Sequence, residues 1–429
     1  MKVLVVGSGG REHAIAWKVS RSPEVTKLYC APGNAGIASV AECVDIKVTD
    51  TPGVLAFAKE QGIDLVIIGP DNPLFEGMAD TLRAAGIRTF GPSAAAAAIE
   101  GSKVFSKELM AKYGIPTASF RVFDDPDKAR GYIEEISHGS EDLPIVVKAD
   151  GLALGKGVYV CDTRAEALKA IQDMMVDKIF GEAGDRVIIE ERLEGPEASL
   201  IVITDGTSIV PLTPAQDYKR INDRDLGPNT GGMGCYSPVP VVPPAMYDEC
   251  IETIIKPAIA AMKAEGRPYS GTLYTGIMLT KDGPRVIEFN ARFGDPETQV
   301  MLPLLETDLI EIMEASLSGS LDSVDIKCYN GCAVCVVIAS GGYPGKYETG
   351  KPISGLEDAG AMEDVIVFHA GTKLQDGRIV TAGGRVLGVT AIGDSFKTAR
   401  DRAYAAVAKI HFDGMQYRTD IANRVISDE

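Results

Sequence analysis

The amino-acid sequence predicts a multidomain protein of α/β and α+β parts that begins with an open parallel sheet. Residues 1–100 alternate short apolar runs with helical segments, which is the β-α-β rhythm of a parallel sheet. Residues 101–325 carry strands separated by glycine-rich and polar loops. From about residue 326 the pattern changes to short strands and one final helix. The length of 429 residues gives a prior of roughly three domains.

The first hundred residues are predicted to form a separate sheet domain. Its expected elements, in chain order, are the strand Val3–Val6, a tight loop over 7–10, a helix ending at Lys18, the strands Val25–Cys30 and Ile63–Gly69, a helix over Phe75–Ala85 and the strand Arg88–Gly91. The alanine run Ala94–Ala98 favours a helix that leads to a domain junction at residues 100–103.

The rest of the chain is predicted to form three further units with the limits 101–190, 191–325 and 326–429. For the first unit the expected elements are the helices Lys103–Tyr113 and Arg164–Met175 and the strands Ile145–Lys148, Gly157–Cys161 and Arg186–Glu190. For the second they are a long polar loop at Pro214–Pro238, helices at Tyr247–Glu265 and Leu304–Leu317, and strands at 271–279 and 284–290. For the third they are strands at 332–339, 364–369, 378–381 and 385–391 and a helix at Ser395–Ile410.

The composition indicates which kinds of partner the protein binds and in which cellular compartment it works. The net charge is −17, and nucleic acid is not an expected partner because binding to its backbone depends on clustered Lys and Arg. No apolar run approaches the ~18 residues of a membrane span, and the apolar start is too short for a signal peptide. The eight cysteines stand among apolar neighbours, as reduced thiols do. We therefore expect a cytoplasmic protein, monomeric or alternatively dimeric, that acts on small molecules.

The predicted strand that ends at residue 290 carries a candidate metal site. Glu288 and Asn290 are two residues apart, so their oxygen-bearing side chains project from one face, while Ile287 and Phe289 should turn to the other. A few oxygen ligands suit Mg²⁺ or Mn²⁺, and Mg²⁺ keeps the rest of its shell for water and phosphates. Arg292 follows the same alternation and suits phosphate or carboxylate. An ordinary polar strand edge is the alternative interpretation.

A second motif, over residues 148–157, favours phosphate binding. A strand ends in Lys148, and Gly151, Gly155 and Gly157 then bracket Lys156. Glycine backbones allow close approach to an anion and lysines supply charge. The segment is not a Walker A loop, because Gly157 stands where a hydroxyl is needed. A plain hairpin turn is the alternative.

Three other segments have polar side chains that suit a nucleotide or a substrate. Gly7-Ser-Gly-Gly-Arg-Glu12 resembles a dinucleotide loop, but Glu12 replaces the last glycine, so only a helix N-terminus suited to one phosphate remains. The strand Ile188–Glu190 leads into carboxylates that could meet a nucleoside, or be an exposed acidic loop. The long polar loop that contains Asp217, Lys219 and Asn229 is of a kind that is usually functional or disordered.

Together these segments resemble the phosphoribosylamine–glycine ligase (glycinamide ribonucleotide synthetase) family of the ATP-grasp superfamily. The resemblance runs nearly end to end and rests on the following motifs: GSGGREHA at 7–14, APGNAG at 31–36, GPDNPL at 69–74, EGSK at 100–103, KADGLALGKGV at 148–158, IEERLEGPEAS at 189–199, GPNTGGMG at 227–234 and IEFNARFGDPETQ at 287–299. It implies an N-terminal sheet domain, a two-part ATP-grasp fold that clasps the nucleotide, and a C-terminal α+β domain.

The resemblance also implies roles for single residues. Lys103, Lys148, Gly155, Lys156 and Gly157 would contact the ATP phosphates. Glu190 would face the adenine amino group, with Leu193 as a backbone contact and Glu197 as the ribose partner. Glu288 and Asn290 would be the metal ligands, and the preceding strand, Thr272–Leu279, carries no further acid where many ATP-grasp enzymes have one. The implied substrate contacts are Gly9, Gly10, Arg11, Asn34, Asp71, Asp217, Asn229 and Asp295.

The implied reaction joins glycine to 5-phosphoribosylamine in purine synthesis and yields glycinamide ribonucleotide, ADP and phosphate. A glycine carboxylate needs activation before an amine can attack it, so a glycyl phosphate intermediate is expected, with Arg292 and Lys219 steadying it. Another ATP-grasp carboxylate–amine ligase is the first alternative. A nicotinamide-dependent oxidoreductase using residues 1–100 is the second, and the broken loop pattern at Glu12 argues against it.

Overall fold

The computed structural model describes residues 1–151 and 157–426. Its N-terminal part is the expected open parallel sheet, with strand order β3-β2-β1-β4-β5 and every pairing parallel. Its strands are β1 to β5 (Lys2–Gly7, Lys27–Pro32, Glu42–Cys43, Leu65–Ile68, Arg88–Phe90), and its helices are α1 to α5 (Gly10–Val19, Thr51–Gln61, Asp71–Phe75, Met78–Ala84, Ala94–Gly101). The helix predicted over 75–85 is wrong as one element, because the chain breaks at Gly77, whose φ of +80° is left-handed.

Residues 103–191 form an antiparallel sheet with strand order β6-β9-β7-β8, covered by helices. The strands are β6 to β9 (Phe120–Phe123, Asp142–Ala149, Val158–Thr163, Val187–Glu191), and the helices are α6 to α8 (Lys103–Tyr113, Pro126–Ser137, Arg164–Ile171). The last helix continues as a π-turn over Gln172–Val176. This sheet packs around an apolar cluster of its own, which includes Ile133, Val147 and Ile189.

A second antiparallel sheet, with strand order β11-β10-β16-β17, follows in the chain. The strands between residues 197 and 290 are β10 to β17 (Glu197–Thr204, Ile209–Pro211, Gln216–Asp217, Arg220–Asn222, Leu226–Asn229, Gly234–Ser237, Gly271–Thr280, Gly283–Asn290), and the helices are α9 to α12 (Pro244–Cys250, Lys256–Ala264, Thr298–Leu304, Leu309–Ser318). The helix predicted at Leu304–Leu317 is wrong in its start, because Leu305 is extended and Asp308 caps a new helix by accepting from the Ile310 N–H.

The C-terminal sheet has the strand order β12-β15-β18-β22-β19, with β23 paired to β18. The later elements of the C-terminal part are the strands β18 to β23 (Cys332–Ser340, Val365–His369, Thr372–Gln375, Arg378–Thr381, Arg385–Gly393, Met415–Gln416) and the helices α13 to α15 (Leu356–Gly360, Phe396–Val407, Asn423–Ile426). Of these strands, β20 and β21 form a separate two-stranded sheet. Pro214–Pro238 is not one long loop as predicted, since it contains β12 to β15. Two of these strands join the C-terminal sheet, so that sheet extends across the predicted limit at residue 326.

The N-terminal, central and C-terminal parts share one apolar core. Buried side chains from Leu4 in β1 to Val425 in α15 belong to the same cluster. No helix in residues 1–151 or 157–426 is long and apolar enough to cross a membrane. The shared core holds β1, β10, β16, β17 and β18 against one another, while the sheet β6-β9-β7-β8 keeps its separate apolar cluster.

Candidate active site

A large cleft of about 1100 Å³ is bordered by both antiparallel sheets and by side chains from the N- and C-terminal parts. The candidate residues that line it are Arg11, Asp71, Lys103, Lys148, Gly157, Glu190, Leu193, Glu197, Asp217, Lys219, Asn229, Glu288, Asn290, Arg292 and Asp295. Gly9, Gly10 and Asn34 are not among the lining residues. Gly155 and Lys156 lie outside the described residues. The individual roles expected for these side chains stay predictions.

A β-bulge shapes the strand that carries the candidate metal ligands. On β16, Gly276 pairs with Glu288 of β17. The next residue, Ile277, pairs with Val286, so Ile287 is an extra residue on β17. Ile287 therefore lines the cleft together with Glu288, whereas simple alternation predicted that it would face the other way. Its carbonyl oxygen accepts a hydrogen bond from Lys148 Nζ at 3.2 Å.

Glu288 and Asn290 form a donor set that suits a hard divalent cation. Asn290 Nδ2 lies 3.5 Å from Glu288 Oε1, so the two groups are neighbours. Burial alone would raise the pKa of Glu288, but four cationic side chains, of which Lys219 acts most strongly, hold that pKa below its usual value. An ionised carboxylate and a neighbouring carboxamide fit Mg²⁺, which would take the Asn290 oxygen that here accepts from Arg292. Within residues 1–151 and 157–426, no group of three or more His, Cys, Asp and Glu could hold a metal ion. We therefore expect oxygens of a bound nucleotide to complete the coordination by Glu288 and Asn290.

Arg292 lies just beyond the end of β17 and is held by three protein acceptors. Its Nη2 pairs with Glu100 Oε1 at 2.9 Å and donates to Asn290 Oδ1 at 3.2 Å. Its Nη1 donates to the Phe293 carbonyl at 3.2 Å, and Arg11 donates to the same oxygen at 3.2 Å. The guanidinium therefore has a fixed orientation beside the candidate metal ligands, as anion recognition requires.

Glu190 is bracketed by two lysines at one end of the cleft. Its Oε1 pairs with Lys148, and its Oε2 pairs with Lys107 at 2.6 Å. All three side chains are at most 6% exposed. Burial would raise the pKa of Glu190, but the two ammonium groups outweigh burial and hold the pKa below its usual value. Lys148 also donates to the Ile287 carbonyl at 3.2 Å, which joins the two antiparallel sheets across the cleft.

Lys103 is anchored at the point where the chain enters the glycine-rich segment. Its Nζ donates to the Gly151 carbonyl at 2.7 Å. The neighbouring Asp150 accepts from Ser102 Oγ at 3.0 Å and from the Val104 N–H at 3.1 Å, so it ties the start of α6 to the end of β7. Both predicted phosphate lysines within the described residues, Lys103 and Lys148, therefore face the same cleft.

Lys219 is a charged ammonium set among carboxylates. Its Nζ donates to Asp217 Oδ1 at 2.8 Å and lies 3.6 Å from Glu197 Oε2. Burial would lower the pKa of Lys219, but Asp217 and further acidic neighbours raise it well above its usual value. The ammonium stays protonated at neutral pH, so it can neutralise a phosphate and cannot act as a general base.

The N-terminal loop that resembles a dinucleotide site is filled by Glu12. The Gly9 N–H donates to Glu12 Oε2 at 2.6 Å. A Cβ at Gly7, whose φ is +136°, would lie 2.1 Å from Glu12 Cγ. Asn34 is also used within the protein, because its amide donates to the carbonyls of Ser8 and His369 and its oxygen accepts two backbone N–H groups. The space a pyrophosphate would need near this loop is taken by a carboxylate, which argues against the nicotinamide alternative.

The sequence reasoning missed several lining residues, and four of them have side chains whose contacts shape the cleft. Lys107 stands one helical turn after Lys103 on the buried side of α6, a spacing that could have identified it. Glu100 is the first residue of the predicted junction, and its carboxylate also accepts from the Ala291 N–H at 2.7 Å. Glu297 accepts from Ser199 Oγ at 3.1 Å, and burial raises its pKa. Arg385 lies in β22, more than ninety residues along the chain from the lining residues of β17. No local pattern could therefore have identified it.

Arg385 brings the C-terminal sheet into the cleft. Its guanidinium donates to the Gly231 carbonyl at 2.5 Å and to the Asp295 carbonyl at 2.9 Å, and it pairs with Asp295 Oδ2 at 3.2 Å. Burial opposes ionisation of Asp295, yet Arg385 and other cations hold its pKa below the usual value. One side chain thus fixes both the glycine-rich loop after β14 and the turn after β17.

Family models match almost the whole chain. Residues 1–100 match the N domain of phosphoribosylglycinamide synthetase, residues 101–298 match its ATP-grasp (A) domain, and residues 333–424 match its C domain.

Curated relatives and solved structures agree with these matches. The phosphoribosylamine–glycine ligase of Rhodopirellula baltica is 52% identical, over 99% of this chain and 98% of its own. That of Caldanaerobacter subterraneus is 50% identical, over 98% and 99% respectively. The crystal structure of the Thermotoga maritima enzyme covers 98% of this chain and 100% of its own with a TM-score of 0.84 and 35% identity. The biotin carboxylase domain of Hydrogenobacter thermophilus 2-oxoglutarate carboxylase covers 97% and 91% at TM-score 0.73 but only 17% identity, which is a likeness of fold. The chain belongs to the phosphoribosylglycinamide synthetase family.

Proposed function

We propose that the cleft joins glycine to 5-phospho-D-ribosylamine at the expense of ATP, giving N1-(5-phospho-D-ribosyl)glycinamide, ADP and phosphate in purine synthesis. The observation that carries the proposal is that the strand with Glu288 and Asn290 and the lysine-bearing strand β7 border one cleft, joined by the hydrogen bond from Lys148 to the Ile287 carbonyl. Full-length identity of about 50% to ligases of this name supports the same reaction.

ATP is expected to lie along the junction of the two antiparallel sheets. Lys103 and Lys148 would meet its phosphates, Glu190 and Leu193 its base, and Glu197 its ribose. Glu288 and Asn290 would hold Mg²⁺, or Mn²⁺ in its place, and the cation would neutralise the phosphate oxygens when bound. The related biotin carboxylase domain was crystallised with magnesium ADP, which supports this choice of nucleotide and metal.

Phosphoryl transfer requires the protein to align the reactants and to neutralise their charge, and it requires no nucleophile on the protein. The glycine carboxylate attacks the γ-phosphorus, the bond to the β–γ bridging oxygen breaks, and glycyl phosphate and ADP form. The amine of phosphoribosylamine then attacks the acyl carbon, loses a proton and expels phosphate. Arg292, which pairs with Glu100, would bind the glycine carboxylate and then the acyl phosphate. The charged Lys219 would neutralise the transferring group.

A positional isotope experiment tests the intermediate. Glycine labelled with ¹⁸O in its carboxylate should transfer one ¹⁸O atom to the released phosphate, which mass spectrometry detects. Unlabelled phosphate would remove the acyl-phosphate step. ADP release measured with glycine, alanine, serine and bicarbonate in turn separates this ligase from others of the same fold, since only glycine should support full turnover.

We infer further that the enzyme works in the cytoplasm, as a monomer or a dimer. All eight cysteines are free thiols in the structure, which suits a reducing compartment. Sedimentation velocity at micromolar concentration distinguishes the two oligomeric states.

A further inference from the structure

We propose that Lys107 is a positioning residue that sets the base specificity of the nucleotide site, by holding the Glu190 carboxylate as an acceptor for a 6-amino purine. The inference rests on the proposed function, in which the base of ATP lies at Glu190. It adds a residue that the motif pattern did not single out, and it names the chemical choice that this residue controls: adenine against a 6-oxo purine.

The first observation is how firmly the Lys107 ammonium is placed. Its side chain is 3% exposed, pairs with Glu190 Oε2 at 2.6 Å and donates to Thr117 Oγ1 at 2.7 Å. The Thr117 hydroxyl in turn donates to the Val286 carbonyl at 2.7 Å. This chain of contacts runs from α6 through the turn before β6 to β17, so it fixes the ammonium where the two antiparallel sheets meet.

The second observation is that both oxygens of Glu190 are occupied by cations. Lys148 pairs with Oε1, and Lys107 pairs with Oε2. Two ammonium groups against one carboxylate keep the carboxylate ionised in spite of its burial. An ionised carboxylate can only accept hydrogen bonds, whereas a protonated one could also donate.

The third step concerns the two purines. Adenine presents an amino donor at position 6, and hypoxanthine presents a carbonyl acceptor at the same place. An ionised Glu190 attracts the donor and repels the acceptor. The Lys107 ammonium could itself donate to a 6-oxo group, but it already pairs with Glu190 and donates to Thr117. Losing Lys107 would free one oxygen of Glu190 and weaken its ionisation, so the site would lose its preference for the amino group.

A purely structural role is the competing explanation, in which Lys107 only neutralises a buried carboxylate. That role predicts lower stability and an equal loss for every nucleotide. A specificity role predicts a change in the ratio between nucleotides. ITP is the best probe, because it differs from ATP only at position 6 and the adjoining ring nitrogen.

The experiment compares kcat/KM for ATP and ITP in the full-length enzyme with glycine and phosphoribosylamine present. The variants are Lys107→Met, Lys107→Arg and, as a matched control, Lys112→Met. Lys112 lies on the same helix and pairs with Glu265 at 2.6 Å, but its side chain is 63% exposed, so its ion pair is in water. Turnover of ATP by the unmodified enzyme is measured first, because its absence would refute the proposed ligase and not the role of Lys107.

The expected result is a fall in the ATP/ITP ratio of about 10- to 100-fold for Lys107→Met, the range of one charge-assisted hydrogen bond. Lys107→Arg should keep the charge and retain most of the ratio, and Lys112→Met should leave it unchanged. An unchanged ratio in Lys107→Met, whatever happens to its absolute rate, overturns the inference. If Lys107→Met does not fold, Lys107→Gln, which removes the charge but keeps a polar side chain, decides in its place: a lower ATP/ITP ratio supports the inference, and an unchanged ratio overturns it.

Discussion

The buried guanidinium of Arg418 is expected to hold the C-terminal segment against the cleft, and its replacement by Met tests this. The side chain is 1% exposed and makes a two-pronged contact with Asp420, with Nε to Oδ1 at 2.8 Å and Nη2 to Oδ2 at 2.7 Å. It also pairs with Asp225 at 2.9 Å and lies 4.7 Å from the centre of the Tyr218 ring. Because Tyr218 stands between Asp217 and Lys219, this contact supports the segment that carries them.

The loss of stability expected for Arg418→Met follows from the burial of the Arg418 ion pairs. Removing one partner of a buried ion pair costs about 3–5 kcal/mol. The lower end applies here, because Asp420 is 19% and Asp225 43% exposed, so water can partly replace the lost partner. We therefore expect Arg418→Met to destabilise the segment by about 3 kcal/mol, which speeds its local opening by roughly 100-fold.

Hydrogen exchange measures that opening directly. The Ala422 N–H donates to the Tyr218 hydroxyl at 2.9 Å, so exchange of peptides covering residues 415–426 reports whether the segment has released. Arg424→Met is the matched control, because Arg424 lies over the same ring at 4.5 Å and pairs with the same Asp225 but is 44% exposed. Its loss should cost less than about 1 kcal/mol. Equal exchange rates in the two variants would refute the reasoning that burial sets the difference.

Three further predictions concern the cleft. Glu288→Ala should lower kcat by roughly 100-fold or more while circular dichroism stays unchanged, because the metal loses its carboxylate; near-normal turnover would contradict the metal assignment. Arg385→Lys should lower kcat/KM by about 10-fold or more, because an ammonium cannot make the contacts to Asp295 and Gly231 together. The control is Arg378→Lys, a substitution at an exposed position. Burial, ahead of any charge, lowers the pKa of Lys107 to about 8, so the ammonium pairs with Glu190 below that pH and is lost above it. The KM for ATP should therefore rise as pH passes 8, and a rise of the same size in Lys107→Met would exclude Lys107 as its cause.

Regular patterns in the sequence predicted the elements that have many local signals. The N-terminal sheet follows from alternating apolar strands and helices, and the strand pair β16–β17 follows from two long runs with a short turn. Helix α6 was predicted at its observed limits, because Ser102 caps one end and Gly114 ends the other. Such elements are decided by residues that are near one another in the chain.

The missed features depend on distant partners or on very short segments. Strand β12 has two residues and β15 has four, too few for periodicity to appear. They are strands only because β15 pairs with β18 of the C-terminal sheet and β12 pairs with β15. The bulge at Ile287 depends on how β17 meets β16, and nothing in the run around Ile287 marks it. Arg385 enters the cleft through the packing of β22, which the local sequence cannot reveal.

The turn after β17 explains why a cleft built from distant segments can work as one site. Arg11 and Arg292 donate to the same carbonyl of Phe293, and Arg385 donates to the carbonyl of Asp295. Side chains from the N-terminal, central and C-terminal parts are thus fixed to one turn, three to five residues beyond the candidate metal ligand Asn290. Any shift of one part would move a guanidinium relative to that ligand. The shared apolar core is therefore needed for chemistry as well as stability, because the alignment that phosphoryl transfer demands is supplied by three parts of the chain at once.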